Sequence, residues 1–269
     1  DAHLSGCIAQ RKGKVLQKDF RLVDASGKED AAATGLLQAG WFLDFLELCL
    51  DSIYWGPTLI QLGDIIRDGG PVRFDGVELV PRKHVVPEYG VLVRNPGDDW
   101  RQGTPYRQGD IANWCVEVGK PRDLGLLLKC APSCISKKNM LAYWDVFGEI
   151  FGMPMRIARV NGLDDAERAR TEAALRDMGA AQYIVTSDGT EIEIKESSRG
   201  DAYNVYDKRV DRCNSELSKV VLNQTMTIDS GSSLSQSEVH LEIFERTTES
   251  DAIMCANVIN GRLLPLMGL

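Results

Sequence analysis

The sequence predicts an α+β fold in which a mixed α/β region leads into two long helices flanking a small strand–helix–hairpin (βαββ) module. Three observations predict it. Residues 202–226 place Tyr206, Val210, Cys213, Leu217 and Val220 at intervals of four, three, four and three, the repeat of one helix face. Residues 155–195 divide into a strand, a helix and two further strands at capping and turn signals. Residues 136–151 carry Met140, Leu141, Trp144, Phe147 and Phe151 at helical spacing, and Gly152 and Pro154 then stop the run.

Taken in order, residues 1–18 lack the basic-then-apolar order of a secretory signal, and no run of about twenty apolar residues exists to span a bilayer. Residues 29–55 read as one helix, with Leu36, Leu37, Trp41, Phe45, Leu48 and Cys49 near three-and-four spacing and Gly56-Pro57 as its stop. Short β-type runs follow at 58–66, 72–80 and 90–94, divided by Gly69-Gly70-Pro71, Asp75-Gly76 and Pro87. Residues 95–121 are rich in Gly, Pro, Asp, Asn, Gln and Trp, which predicts a long ordered loop with one strand near 114–118. Ser136 is the expected N-cap of the first long helix.

The module after it begins with a strand at 155–160. Asp164-Asp165-Ala166-Glu167 is a capping box for a helix closing at Gly179, and strands at 182–187 and 191–195 join through Asp188-Gly189. Tyr183, Val185, Ile192 and Ile194 alternate, so one hairpin face can cover Ala169, Ala173 and Met178. On the second long helix, Asp207, Lys208, Asp211, Arg212, Ser215 and Lys219 lie opposite the apolar stripe. Residues 227–237 are flexible by composition, and a last amphipathic helix starts near Glu238 and runs to Gly261 or beyond.

Composition narrows the function. The chain has 269 residues, 43% of them hydrophobic, enough to bury a proper core. Its net charge of −8 argues against holding nucleic acid by phosphate neutralisation, yet suits a surface past which a duplex slides. Seven scattered cysteines read as mostly free thiols of a reducing compartment. Cys130 and Cys134, with Cys115, have loose metal spacing but lack paired partners, and His240-Leu241-Glu242 lacks the second half of a zinc deaminase signature. No phosphate-binding Gly loop, dinucleotide fingerprint or nucleophile elbow occurs. The three histidines, His3, His84 and His240, stand beside no Ser or Cys in a catalytic arrangement. Of the acidic pairs, Asp164-Asp165 is explained as a cap and Asp98-Asp99 as a turn. Catalysis, metals and cofactors are therefore not expected, which leaves a structural or interaction protein.

Resemblance selects among those. The run NMLAYWDVFGEIFGMPMRIAR at 139–159, the module after it, VVLNQTMT at 220–227 and the stretch 238–264 resemble the Mu-like prophage portal family in the same order. The most specific pieces are the aromatic helix ending in F-G-x-P before an Arg-bearing strand, and L-x-Q-T-x-T before a Ser/Gly-rich loop. Trp55-Gly56 and residues 74–87 agree more loosely, and 95–121 fit less well. The family continues at both sides, so the resemblance implies a trimmed core.

The resemblance implies a portal-protein fold: an α/β wing at 1–134, a first stem helix at 135–154, a clip at 155–200 and a second stem helix at 201–226. A channel loop at 227–237 and the start of a wing or crown helix at 238–269 complete it. It implies a non-enzymatic homo-oligomeric ring, usually a dodecamer, at the capsid vertex of the virion, assembled in the host cytoplasm. Such a ring conducts double-stranded DNA without gripping it and docks the terminase packaging motor, the head-tail connector and capsid proteins. Channel-facing candidates are Lys208, Arg212 and Lys219 on the helix and Asp229, Ser232, Ser233 and Gln236 in the loop. Arg156, Arg159, Arg168 and Glu191 are candidates for docking the motor or connector, although each also fits an ordinary solvated surface. The alternatives are another virion structural protein, such as a head-tail adaptor, or an enzyme without a recognisable motif.

Overall fold

The computed structural model describes residues 1–67, 72–151, 156–160, 165–177, 183–187, 202–224 and 234–269. They form two compact units, one of residues 1–134 with 214–269 and the other of residues 135–213.

In the first unit, α1 (Ala2–Leu16) opens on Asp1, whose carboxylate accepts from the Leu4 N–H at 3.0 Å. Asp30 caps α2 (Ala31–Leu37) in the same way through Ala33. The single helix expected over 29–55 is broken, because Gln38 (ψ 55°) and Ala39 (ψ 157°) leave helical geometry before α3 (Gly40–Trp55). Gly35 and Gly40 weaken helical propensity on either side of the break. The resulting 70° bend puts Leu37, Trp41, Phe42 and Phe45 into one core. Among the described residues no single helix is long and apolar enough to cross a membrane.

Gly56 ends α3 at φ 84°, a left-handed conformation in which a Cβ would also strike the Asp123 carbonyl. β1 (Thr58–Leu62) is the middle of an antiparallel sheet. The hairpin of β2 (Ile65–Ile66) and β3 (Arg73–Phe74) leads to its neighbour β4 (Val77–Leu79). A second small sheet follows from β5 (Val85–Val86), β6 (Val91–Leu92) and β7 (Thr104–Pro105), and β8 (Cys115–Val118) returns to pair with β1. Ile60 lies opposite both Leu79 and Val116. Alternation along β1 sends Ile60 and Leu62 into the core under α3, and Leu59 into a cluster with Tyr106 and Cys115.

α4 (Gly125–Phe151) begins well before the expected Ser136 cap. Asp123 supplies the start, its carboxylate accepting from the Gly125 N–H at 2.9 Å. Pro132 lies inside the helix; it forfeits one backbone donor and points to solvent, so the helix runs on through it. The first unit takes the opening turns of α4, and with them Cys130 joins Cys7 and Tyr54 in a second cluster.

The second unit holds the rest of α4, then β9 (Arg156–Val160), α5 (Asp165–Asp177), β10 (Tyr183–Ser187) and the first part of α6 (Ala202–Leu222). β9 and β10 pair in parallel, Arg156 opposite Tyr183 through Val160 opposite Ser187, and α5 is the crossover that parallel pairing requires. The predicted second hairpin strand at 191–195, its Asp188-Gly189 turn and the capping Asp164 lie outside the described residues.

α6 ends at Leu222 rather than near Met226, because Asn223 adopts φ 57° and terminates it in the left-handed conformation. α7 (Leu234–Val258) starts ahead of Glu238, continues through one π-helical stretch at Ile259–Leu263 and ends in α8 (Leu264–Met267). The packing of α1, the last turns of α6 and α7 is fixed by a buried ion pair. Arg11 donates to Asp251 at 2.6 and 2.8 Å and to the Val221 carbonyl at 2.6 Å. Burial alone lowers the guanidinium's pKa, but the hydrogen bonds and charge of Asp251 outweigh it and hold the value above the ordinary one.

Candidate functional site

The second unit brings the two long helices into contact. The Arg209 guanidinium donates to the Ser136 hydroxyl at 3.0 Å, and the Phe147 and Tyr206 rings meet at 5.8 Å between centroids. Ser136, expected as a cap, is thus a mid-helix acceptor for the neighbouring helix. Met140, Trp144 and Phe147 of the predicted stripe are half-buried, whereas Leu141 is exposed. On α6, Cys213 and Leu217 are buried and Tyr206, Val210 and Val220 are half-buried.

Of the channel candidates, Lys208 and Arg212 are exposed one turn apart on α6, and Lys219 follows two turns later on the same face. Lys219 pairs with Glu216 at 3.1 Å. Asp207 and Asp211 are exposed beside them, so this face mixes both signs rather than forming a basic stripe. Asp229, Ser232 and Ser233 lie outside the described residues. Gln236, expected in the loop, falls in the first turn of α7, where short polar side chains are favoured because the first backbone N–H groups lack helical partners.

Of the docking candidates, Arg156 and Arg159 sit on β9 opposite Tyr183 and Thr186, and Arg168 is exposed on α5. Glu191 lies outside the described residues. The structure therefore groups Lys208 with Arg212, and places Arg156, Arg159 and Arg168 in one βαβ module.

Sequence reasoning missed a second apolar face on α4. Ile135, Ala142 and Val146 are exposed at seven- and four-residue spacing, with Tyr143 and Leu141 beside them and Val205 exposed on α6. The signal was present in the sequence as a second set of apolar positions on the same helix, interleaved with the stripe that was read.

The weighed chemical sites resolve into structure. Asp98 accepts from the Asn95 N–H at 2.8 Å and Asp99 from the Arg101 N–H at 3.1 Å, the pattern of a capped turn. All seven cysteines are free thiols. Burial, with Cys134 and Cys7 nearby, pushes the Cys130 thiol up to about 11, opposite to what a thiolate ligand requires. Among the described residues no three His, Cys, Asp or Glu side chains come together as a metal site.

A family model described as the portal protein of Mu bacteriophage matches residues 1–268. No curated protein matches the chain.

Proposed function

The chain belongs to the family of the Mu bacteriophage portal protein, a structural, non-enzymatic capsid component that assembles with other phage proteins, and from it we propose how this chain works. Copies form a ring, a dodecamer in the virion, that conducts DNA during packaging and ejection. The ring is assembled in the host cytoplasm and docks the terminase motor and head-tail connector through the βαβ module bearing Arg156, Arg159 and Arg168, and through Glu191.

The observation that supports ring formation is the uncovered apolar face of α4, where Ile135 is 62% exposed and Val146 50%. Contiguous apolar side chains on a surface are the mark of an interface, and a head-to-tail contact repeated about an axis closes a ring. Symmetry then multiplies every group that faces the bore. Exposed Lys208, Arg212 and Lys219, alternating with Asp207 and Asp211, give each phosphate weak and equivalent attractions within an acidic protein, so the duplex slides instead of sticking. Asp229, Ser232, Ser233 and Gln236 complete the channel lining in this reading.

Electron microscopy of the purified protein under assembling conditions tests it. Rings with a central hole are expected, and Val146→Asp should yield folded monomers because it buries a charge at the interface. Wild-type chains that stay monomeric, or rings that form unchanged with Val146→Asp, overturn the assigned face.

A further inference from the structure

On the first unit α3 and α7 leave an open apolar groove of about 330 Å³, lined among others by Phe20, Phe42, Leu46 and Ile253. Ile253 is 56% exposed there, so the chain's own core does not claim it. The rim is acidic: Asp19 and Glu249 line the groove with Lys18, and Glu47 is exposed next to Leu46.

The same unit carries a projection of opposite character. Leu124, at 67% the most exposed large apolar side chain among the described residues, is followed one turn on by Leu128 at 57%. Lys120 and Lys129 are exposed to either side of them, and Asp123 is engaged in capping α4. Gly125 passes against the Tyr54 carbonyl, so the projection sits at the far end of α3, about 12 Å along that helix from Leu46 in the groove. One copy therefore cannot fill its own groove with its own leucines.

We propose that the groove between α3 and α7 receives Leu124 and Leu128 of a second copy of this chain, with Lys120 and Lys129 of that copy meeting Asp19 and Glu249 on the rim. Burial supplies the attraction, since both leucines and Ile253 leave water together. Charge supplies the selection: two projections or two grooves brought together would set like charges face to face, which disfavours a symmetric pair. Two different surfaces meet, so the contact is head-to-tail, and each copy keeps one groove and one projection for its neighbours until rotation closes the series. The contact rests on the ring-forming reading above and adds to it a face separate from Ile135 and Val146.

The test places the photocrosslinker p-benzoylphenylalanine at position 253 of the full chain, mixes it with isotope-labelled parent chains under assembling conditions and irradiates. Crosslinked peptides of mixed isotope are expected, with the labelled partner lying within residues 120–132. Leu128→Asp should weaken self-association by about tenfold or more in sedimentation, with circular dichroism and the melting midpoint unchanged, because it sets a carboxylate into an apolar groove. Glu249→Lys and Lys129→Glu should each weaken it severalfold, and the two in one chain should recover most of the loss. Rings whose crosslinks reach any other segment, or a charge exchange without recovery, overturn this contact and leave ring formation standing. Chains that never associate overturn both.

Discussion

Replacing Asp251 by Asn tests whether the Arg11 ion pair holds three helices of the first unit together. Arg11 and Asp251 are 7% and 6% exposed, and the guanidinium makes two short bonds to the carboxylate and one to the Val221 carbonyl. Asparagine keeps the size but removes the charge, and its amide N–H₂ faces a donor. One buried positive charge then remains with a single carbonyl acceptor. Breaking such a pair costs about 3–5 kcal/mol, a large share of the roughly 5–15 kcal/mol that holds a typical domain folded. Urea unfolding of the full chain, followed by tryptophan fluorescence and circular dichroism, measures the loss. The double variant Arg11→Met with Asp251→Leu removes both charges and fills the space with apolar atoms, so it should recover to within about 2 kcal/mol of the parent. A cost below about 1 kcal/mol for Asp251→Asn, or a double variant as damaged as the sum of its parts, would refute a desolvated and mutually dependent pair.

Gly125→Ala should destabilise by about 2–3 kcal/mol in the same unfolding assay, since φ is 70° there and a Cβ would run into the Tyr54 carbonyl. Tyr106→Phe should cost about 1–2 kcal/mol by removing the 2.8 Å bond from the buried hydroxyl to Glu117, which keeps its two bonds from Arg107. Burial and then Glu117 raise the Tyr106 phenol, and burial raises Tyr54, so ultraviolet titration should show two tyrosines ionising above the ordinary range, of which Glu117→Gln lowers one. The Asp24 carboxyl is held below its usual range by the Ser26 hydroxyl and then the Lys28 and Ser26 amides. Its contribution to the folded loop is present above the unfolded carboxyl pKa and is lost as pH falls through the lower folded value; NMR titration of Asp24 in the parent and in Ser26→Ala checks the shift.

Local chemistry made much of the fold legible, and failures mark where tertiary contacts overrode it. The apolar repeat of α6 and the turn signals around β9, α5 and β10 are local, so the elements fall near where spacing places them. Ser136 misled because it is locally a helix boundary. The actual start depends on Asp123 and on Gly56 and Gly125 passing close to the opposing backbone, a meeting of segments far apart in sequence. Asn223 escaped notice because a single αL residue at the end of a periodic run leaves the repeat intact. The partner of Arg11, 240 residues away, has no local signature.

The candidate site was legible in a different measure. Charged positions such as Lys208 and Arg212 could be placed on one helix face from spacing alone, but spacing gives a face and no partner. α4 carries apolar side chains on two sides. One side includes the half-buried Trp144 and Phe147, and the other holds Ile135, Ala142 and Val146 in solvent. A helix apolar around most of its circumference belongs inside a core. When a single chain covers only half of it, the remaining apolar residues point to a surface completed by another molecule. A reading based on one chain assigns such residues to its own core or passes over them; the predicted stripe follows the half-buried side through Met140, Trp144 and Phe147, and within it Leu141 is exposed. The substitution Val146→Asp separates these accounts: a core position should unfold the chain, whereas an interface position should leave the monomer folded and abolish only assembly.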